Sequence, residues 1–262
     1  MRILLLGAAG FIGRHILSDL LAAGHDVVGV ARSTGSLASA FPDIRFVQID
    51  LARALRPEDW TEHLANVDVI VNAAGLLRGR DLEAVHIAMP RALYQAAEAS
   101  GVQRVVLISA ISARPDLATD YSQTKLAGEA ALRASTLDWT ILRPSLVYGD
   151  GSYGGTSLMR GMAGLPLLTP IPGDGNFIFT PIHARDLART VRLASEGQVP
   201  PRQTLDPVGP ETLTLRQMLS RYRKWLGFGE ARFLRVPMVL MALMARLGDV
   251  LGNGPISSNS LD

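Results

Sequence analysis

The stretch Arg2-Ile3-Leu4-Leu5-Leu6-Gly7-Ala8-Ala9-Gly10-Phe11-Ile12-Gly13 decides the fold class of this chain. Its apolar run lacks polar alternation, which predicts a β-strand that is buried on both faces. The glycines predict a tight turn into a helix, because glycine lets the backbone bend sharply and approach a ligand closely. The first N–H groups of that helix and its positive dipole end suit a pyrophosphate. The glycine spacing alone is a weak signal, but its place between a strand and a helix predicts a dinucleotide site.

The same strand and helix pattern repeats through the first half of the chain. Short apolar runs predict strands at Arg2–Leu6, Asp26–Ala31, Arg45–Ile49, Val67–Val71, Arg104–Ile108 and Trp139–Leu142. Amphipathic segments between them predict helices near Phe11–Ala23, Pro57–Ala65, Leu82–Ser100 and Tyr121–Ser135. Repeated units of this kind predict an α/β fold, a Rossmann-type doubly wound parallel sheet with right-handed crossovers.

The second half of the chain has a different composition. Gly, Pro and Ser are dense from Gly149 to Gly175, which predicts long loops. Helices are expected at His183–Ser195 and after Thr214, where Gln217 completes a capping box. We expect residues 1–150 to form the nucleotide-binding domain and 151–235 a smaller substrate lobe, with the option of returning elements to the first domain. Residues 236–262 are expected to form a terminal helix and a polar tail, cut short where the sequence ends.

Composition excludes several classes of site and partner. The chain has no cysteine, and its five histidines show no metal-ligand spacing, so we expect no metal. A formal net charge of +2 gives no support for nucleic acid. The apolar run at the start is too short for a signal peptide, and the longest apolar stretch, Val236–Ala245, is too short to span a bilayer. We therefore expect a cytoplasmic protein without membrane contact.

The residues after the second strand predict which dinucleotide is bound. An acidic residue at this place selects NAD through the ribose 2′-hydroxyl, whereas this chain has Arg32-Ser33-Thr34. A guanidinium beside two hydroxyls suits a 2′-phosphate, so NADP is favoured over NAD. The alternative is a solvated arginine at the end of a strand. Arg14 is better explained as an exposed helix residue than as a second phosphate ligand.

Two more strand ends offer cofactor contacts. Asp50-Leu51 follows the third strand, where it can touch the adenine ring. Asn72-Ala73-Ala74-Gly75 follows the fourth strand, and its small residues allow the backbone to pass close to a cofactor. Ordinary loop chemistry would explain either segment taken alone.

A tyrosine and a lysine predict the chemistry. The chain has only two lysines, and Lys125 lies four residues after Tyr121, on the same face of a predicted helix. An ammonium beside a phenol favours the phenolate, which makes the tyrosine a better proton donor and acceptor near neutral pH. Ser109, at the end of the fifth strand, is the candidate donor to a developing oxyanion. The predicted reaction is hydride transfer between a nicotinamide and a carbonyl or alcohol carbon. The alternative for Ser109 is a residue that merely ends a strand.

These motifs together resemble the short-chain dehydrogenase/reductase superfamily, in its extended or atypical branch. The resemblance rests on Gly7–Gly13, Asp50, Asn72–Gly75, Ser109, Tyr121 with Lys125, and Arg143-Pro144-Ser145-Leu146-Val147-Tyr148-Gly149. It implies that Lys125 also holds the nicotinamide ribose and that Pro144 and Val147 lie near the nicotinamide amide. Within the branch, the segment Leu137–Gly149 is most similar to the NADPH-holding accessory subunit of respiratory complex I and to bacterial nucleoside-diphosphate-sugar epimerase-like proteins.

One position departs from the family pattern. Many catalytic members have Asn on the helix before the fifth strand, where it positions a water linked to the lysine. This chain has His86 there, which puts the proton relay in doubt, and a hydrogen-bonded interior histidine is the favoured explanation. The later segment Pro181–Ala188 also resembles the family, and Asp186 in it is expected to cap a helix.

Two functional hypotheses therefore stay open. The first is an NADP-dependent oxidoreductase or nucleotide-sugar epimerase, with a small-molecule carbonyl, alcohol or nucleotide-sugar substrate. The second is a non-catalytic NADPH-binding module that acts as a redox sensor or assembly factor, with a partner bound from Pro237 onward. Met238, Met241, Leu243, Met244 and Leu247 could form that surface, although core packing of a terminal helix explains them better. The superfamily often pairs through helices near the tyrosine, so a homodimer is an option.

Overall fold

The structure, a computed structural model, describes residues 1–151 and 154–237. The strands are β1 Arg2–Leu6, β2 Asp26–Ala31, β3 Arg45–Gln48, β4 Val69–Asn72, β5 Arg104–Ile108, β6 Asp138–Leu142, β7 Val147–Tyr148, β8 Thr169–Pro172, β9 Ile178–Phe179, β10 Ile182–His183, β11 Gln203–Leu205, β12 Leu213–Thr214 and β13 Phe233–Val236. The α-helices are α1 Phe11–Ala22, α2 Gly35–Ala40, α3 Glu58–Thr61, α4 Met89–Ser100, α5 Asp120–Arg133, α6 Gly155–Ala163, α7 Ala184–Ser195 and α8 Leu215–Trp225. A π-helical turn, Ala84–Ala88, leads directly into α4.

Seven strands form one parallel sheet in the order β3-β2-β1-β4-β5-β6-β11. The predicted α/β fold with a doubly wound parallel sheet is confirmed. β1 lies inside the sheet, between β2 and β4, where Leu4 pairs with Val28 on one side and Ile70 on the other. Both faces of β1 are buried, as its unbroken apolar run predicted. One face packs against a core that includes Trp60 and Leu93.

By contacts, the chain divides into two compact units. The first unit comprises Met1–Pro144 and His183–Pro207, and the second comprises Ser145–Ile182 and the segment from Val208 onward. The predicted boundary at residue 150 therefore lies a few residues late, and α7 and β11 return to the first unit. In that unit α7 packs against α1, where Arg192 Nε donates to Asp19 Oδ2 at 2.8 Å.

The second unit has its own small core. Its buried apolar side chains are Ala163, Ile171, Leu215 and Leu219, from α6, β8 and α8. β8 pairs with β13 in parallel, and β9 pairs with β12 in antiparallel orientation. The N-terminus of α8 has the predicted capping box, in which Gln217 N donates to Thr214 Oγ1 and Thr214 N donates to Gln217 Oε1.

The structure corrects two predictions about local elements. The segment Gly149–Gly175 was expected to be loop, but it contains α6 and β8, because Met and Leu side chains supply an apolar face that the Gly content obscured. Asp186 does not cap α7. The cap is His183, whose Nδ1 accepts from Arg185 N at 3.2 Å, and Asp186 lies in the first turn. The predicted terminal helix and the apolar residues from Met238 onward lie outside the described residues.

Candidate active site

The candidate residues follow the carboxyl ends of parallel strands. The glycine turn follows β1, Arg32 follows β2, Ala73 follows β4, Ser109 follows β5, and Pro144 lies two residues after β6. Because these strands are parallel, their carboxyl ends share one edge of the sheet, where open α/β folds bind ligands. The topology therefore gathers these residues from across 138 positions, Gly7 to Pro144, along a single edge of the first unit.

The glycine turn leaves no room for side chains at two positions. Gly7 has φ of +76°, and a Cβ there would lie 2.8 Å from the carbonyl oxygen of Ala73. A Cβ at Gly13 would overlap the carbonyl oxygen of Gly7, because α1 packs directly against the turn. Gly10 N–H donates to Gly7 O at 2.9 Å and closes the turn. The glycines are thus required by backbone packing, independently of any ligand.

The N-terminus of α1 is suited to an anion. Gly10 is its N-cap and supplies no side-chain acceptor, and no acidic residue lies in the first turn. The first N–H groups, at Phe11, Ile12 and Gly13, precede the first helical hydrogen bond, from Arg14 N to Gly10 O. Arg14 Nε donates to Ala9 O at 3.1 Å, so its guanidinium also lies beside the turn. The turn and the helix dipole fit a diphosphate.

The next two strand ends differ in what they offer a ligand. Arg32 and Ser33 are both exposed at the end of β2, next to the end of β1. Asp50 is committed to its own loop, since its carboxylate accepts from Ala52 N at 3.1 Å and pairs with Arg53 at 3.4 Å. Leu51 is buried in the core, which leaves little of its side chain available to an adenine ring.

The loop after β4 connects the glycine turn to α5. Asn72 is buried, and its Oδ1 accepts from Ala74 N at 3.1 Å, which fixes the loop. The backbone of Ala73 contacts Gly7, as described above. At the other end of the loop, a Cβ on Gly75 would lie 3.3 Å from Lys125 Nζ. The small residues predicted here therefore allow close backbone approach on both sides.

Tyr121 and Lys125 lie one turn apart on α5. Lys125 is buried, and its Nζ donates to the carbonyl oxygen of Ile108 at 2.9 Å, at the end of β5. Tyr121 is half-buried, and its ring meets the His86 ring edge-on with centroids 5.9 Å apart. Burial lowers the pKa of Lys125 to about 8, and the nearby Glu129 opposes that shift. The amine therefore still carries a proton at pH 7, and it lies one helical turn from Tyr121.

His86 is a neutral interior histidine with both ring nitrogens hydrogen-bonded. Leu76 N–H donates to its Nε2 at 3.0 Å, which places the proton of the neutral ring on Nδ1. Nδ1 then donates to Thr124 Oγ1 at 2.9 Å, and Thr124 donates to Asp120 O at 2.7 Å. Burial, and secondly the charge of Lys125, lower the pKa of His86 to about 3. A ring with this pKa is a poor general base near neutral pH.

The Ser109 hydroxyl is bonded to a residue that the sequence analysis missed. It donates to Glu129 Oε1 at 2.6 Å, and both residues are buried. The same carboxylate accepts two hydrogen bonds from Arg143, at 2.8 and 2.6 Å, and one from Arg133 at 3.1 Å. Burial alone would raise the pKa of Glu129, but the bonds from Arg143, Ser109 and Arg133 hold it below its ordinary value.

Glu129 could have been found from its spacing. Tyr121, Lys125 and Glu129 recur every four residues, so they follow one face of α5. Its partners come from α5 and from the residues that follow β5 and β6, a combination that no local pattern contains. The structure thus brings Ser109, Lys125 and Glu129 into one buried cluster, and gives Ser109 a partner within the protein.

The two positions implied by the family loop fall in different units. Pro144 is buried, and its carbonyl oxygen accepts from Ile111 N at 3.1 Å within the first unit. Val147 is half-buried in β7 and belongs to the second unit. Among the described residues, no group of His, Cys, Asp or Glu is arranged to hold a metal ion. In the same part of the chain, no helix has the length and apolar character that a membrane span requires.

A model of a family described as NAD(P)H-binding matches residues 7–163, more than half of the chain. The chain belongs to this NAD(P)H-binding family. Its cofactor is therefore a nicotinamide dinucleotide, which the glycine turn and the N-terminus of α1 fit. This match, taken together with the relatives described next, confirms the predicted place in the extended or atypical branch of the short-chain dehydrogenase/reductase superfamily.

Relatives of the NAD(P)H-binding chain carry diverse names. Ceramide reductase of Caulobacter vibrioides is 31% identical over 186 residues, 70% of this chain and 57% of that protein. Mouse mitochondrial NADH dehydrogenase [ubiquinone] 1 alpha subcomplex subunit 9 is 23% identical, over 95% of this chain and 66% of its own length. The chain thus spans less than two thirds of either relative.

A solved structure shows the same fold. The UDP-glucuronic acid 4-epimerase of Bacillus cereus, in complex with NAD, matches with a TM-score of 0.77 and 23% identity, over 90% of this chain and 88% of that one. The TM-score establishes the shared architecture, and an identity this low carries no information on substrate.

Proposed function

We propose that the protein is an NADP-dependent reductase of a carbonyl-type substrate. In this proposal Tyr121 is the proton donor, and the charge of Lys125 favours loss of the phenolic proton. The observation that carries this proposal is the buried Lys125 amine one helical turn from Tyr121. It is anchored on Ile108 O at the carboxyl edge of the sheet. Its charge favours the phenolate, which makes Tyr121 a stronger acid than a solvated phenol.

The proposed step conserves atoms and charge. NADPH, held at the glycine turn and the N-terminus of α1, would supply the hydride that the carbonyl carbon of the substrate needs. Tyr121 donates its phenolic proton to the carbonyl oxygen as the alcohol forms, and the phenolate then recovers a proton from solvent. Lys125 stays protonated and stabilises the phenolate while the charge lasts. His86 takes no part in the proton transfer, because its pKa of about 3 leaves it neutral and its two nitrogens are hydrogen-bonded.

Reduction is favoured over epimerisation by the names of relatives at 30% identity or more. Ceramide reductase is 31% identical, and a rice chloroplast divinyl chlorophyllide a 8-vinyl-reductase is 30% identical over 91% of this chain. The epimerase likeness lies in the fold alone. Arg32 and Ser33, exposed beside the glycine turn, support NADP as the preferred dinucleotide.

The proposal does not depend on Ser109. A hydroxyl has one proton, and in this structure Glu129 receives it. Ser109 could donate to a substrate oxygen only by giving up that bond to a buried carboxylate. The oxyanion role that the sequence suggested is therefore left out of the proposed mechanism.

The test is turnover in Tyr121→Phe. With NADPH and a panel of aldehydes and ketones of increasing chain length, we expect wild-type NADPH oxidation to fall roughly 10²- to 10⁴-fold in the variant. NADPH binding, measured by thermal shift, should be retained because the phenol is not needed for it. Full activity of Tyr121→Phe on a substrate that the wild type reduces would refute the assignment.

The other lysine of the chain gives a matched control. Lys125→Arg keeps the charge but places a planar guanidinium where a compact amine is buried, so turnover should fall at least tenfold. Lys224→Arg, at an exposed position on α8, should leave turnover unchanged. Equal effects of the two changes would show that the buried amine has no special role.

The second candidate function is NADPH binding without turnover. It is favoured by the commitment of the Ser109 hydroxyl to Glu129, and by a relative named for assembly, photosystem II assembly factor Ycf39 of Synechocystis, 25% identical over 93% of this chain. It predicts NADPH binding with no hydride transfer to any carbonyl in the panel, and no effect of Tyr121→Phe on binding.

A further inference from the structure

Two neighbouring loops of the second unit expose large apolar side chains. Loop A is Gly164–Leu168, between α6 and β8, and loop B is Trp225–Gly229, which includes the last residue of α8. Leu167 is 78% exposed and Trp225 is 66% exposed. We call the exposed set the apolar tip; it consists of Leu165, Leu167, Leu168, Trp225, Leu226 and Phe228. Clusters of exposed apolar side chains on a protein surface usually mark an interaction site.

A buried arginine holds the two loops together. Arg223 Nη1 donates to Ala163 O at 3.0 Å and to Leu165 O at 2.6 Å, beside and within loop A. Its Nε donates to Gly229 O in loop B at 3.1 Å, and its guanidinium lies 5.3 Å from the centre of the Phe228 ring. The apolar tip is therefore built on a fixed frame of charge-assisted hydrogen bonds rather than on two independent loops.

Two further distances describe how the loops of the tip lie beside each other and beside α6. A Cβ on Gly164 would lie 3.9 Å from Leu226 Cδ1, which places the loops side by side. The guanidinium of Arg160 lies 5.1 Å from the centre of a Trp225 ring. The indole is thus oriented by the protein while most of it remains exposed.

The surroundings of the tip are cationic. Residues 221–235 contain five basic residues and one acidic residue, whereas the whole chain has a formal charge of only +2. Arg221 is neutralised by Glu211 at 2.6 Å, and Arg223 is buried. Exposed cations remain at Lys224 beside Trp225, at Arg232, whose carbonyl oxygen accepts from Thr169 N next to loop A, and at Arg235 in β13.

We propose that the apolar tip docks on an anionic lipid surface, with Leu167 and Trp225 inserted at the level of the headgroups and Lys224, Arg232 and Arg235 facing the lipid phosphates. Exposed indole and leucine side chains flanked by long cationic ones match the apolar and anionic layers of such a surface. The charge decides between occupants, because a second copy of this chain would bring the same cations against each other.

This inference revises the expectation of no membrane contact. That expectation rested on the absence of an apolar stretch long enough to span a bilayer. Surface docking needs only a few apolar side chains and nearby cations, so a spanning segment is not required. The inference does not depend on the proposed reductase activity, since none of its residues belongs to the first unit.

The experiment is vesicle flotation with the full chain. Vesicles of phosphatidylcholine with 30 mol% phosphatidylglycerol should carry the protein at 0.1 M salt, and pure phosphatidylcholine should carry much less. Leu167→Gln and Trp225→Gln should each weaken partitioning roughly tenfold, and Arg232→Gln about fivefold. Trp60 and Trp139 are buried, so a blue shift of tryptophan emission on adding vesicles would report Trp225. That shift should disappear in Trp225→Gln.

The matched control is Ile178→Gln. Ile178 is 70% exposed in the same unit but pairs with Thr214, at the opposite end of α8, roughly 16 Å from Trp225 along an 11-residue helix. It should leave vesicle binding unchanged. Failure to float with anionic vesicles, or flotation that Leu167→Gln and Trp225→Gln do not weaken, would overturn the proposal. So would self-association weakened by those two changes, or binding seen only after removal of residues 238–262.

Discussion

The glycine turn and the α5 cluster, which consists of Ser109, Lys125, Glu129 and the two arginines bonded to Glu129, border the same loop, Ala73–Gly75. Different kinds of contact hold the two regions together. The glycine turn consists of backbone, with Gly7 against Ala73 and Gly13 against Gly7. The α5 cluster is built around two buried ionisable side chains, Lys125 and Glu129, and Glu129 is bonded to buried Ser109 and to two partly exposed arginines. The difference teaches that the stability of a site formed by closely packed backbone is sensitive to added side-chain volume. The stability of a site formed by ion pairs is sensitive to the loss of a charge. Substitutions at Glu129, Gly13, His86 and Arg32, in decreasing order of expected effect, test that contrast.

Glu129→Gln should cost about 3 to 4 kcal/mol of unfolding free energy, because Arg143 and Arg133 lose the buried charge that they surround. Urea unfolding measures it. Asp116→Asn removes an exposed partner of Arg114 and should cost less than about 1 kcal/mol. If both changes cost the same, the α5 cluster is not held by its charges, and the contrast with the glycine turn fails.

Gly13→Ala should cost about 2 to 3 kcal/mol, because the added methyl group overlaps the carbonyl oxygen of Gly7 and must displace α1. NADPH affinity should fall with it, since the displaced helix carries the first N–H groups. Gly161→Ala is the matched control within helix α6, where an added Cβ meets nothing within 4 Å. That change should be neutral or stabilising by up to about 1 kcal/mol. Similar costs at both positions would contradict close packing at the turn.

His86 should make the fold sensitive to acid. Its pKa is about 3 in the folded protein, so on acidification the unfolded chain takes up a proton near pH 6.5 while the folded chain does not. Its contribution to stability is therefore present above pH 6.5 and lost as the pH falls toward 3, by about 2 to 3 kcal/mol at pH 4.5.

The measurement for His86 is urea unfolding at pH 7.5 and pH 4.5 in the wild type and His86→Asn. The loss of stability on acidification should be smaller in the variant, because Asn does not titrate. An identical loss in both proteins would show that His86 takes up a proton in the folded state, and that burial does not lower its pKa.

Arg32→Ala should have the smallest effect, a loss of roughly tenfold in the preference for NADPH over NADH, about 1.4 kcal/mol. Arg32 is exposed, so its bond to a 2′-phosphate is partly screened by solvent. Thermal shift with each dinucleotide measures the preference, and Arg53→Ala, at another exposed arginine near the same edge, is the control. A wild-type protein stabilised more by NADH than by NADPH would refute the role of Arg32.

Much of the fold could be predicted from the sequence, and so could Ser109, Tyr121 and Lys125 in the candidate site, but not Glu129. β1, β2 and β5 have the predicted bounds, since strands buried on both faces read as unbroken apolar runs. The second unit was harder, because α6 and β8 are short and their apolar residues are interrupted by Gly and Pro. His86 was correctly expected to be an interior histidine, but its two hydrogen-bond partners could not be predicted.

The sequence by itself determined the glycine turn, the parallel sheet and the placement of Tyr121 and Lys125 on one helix face, because each depends on residues close together in the chain. Only the tertiary structure decided what those residues touch. The Ser109 hydroxyl bonds to Glu129, and Lys125 to the carbonyl oxygen of Ile108, across separations of 20 and 17 residues. Such bonds are set by strand order and helix packing, which bring distant side chains together without leaving a local pattern.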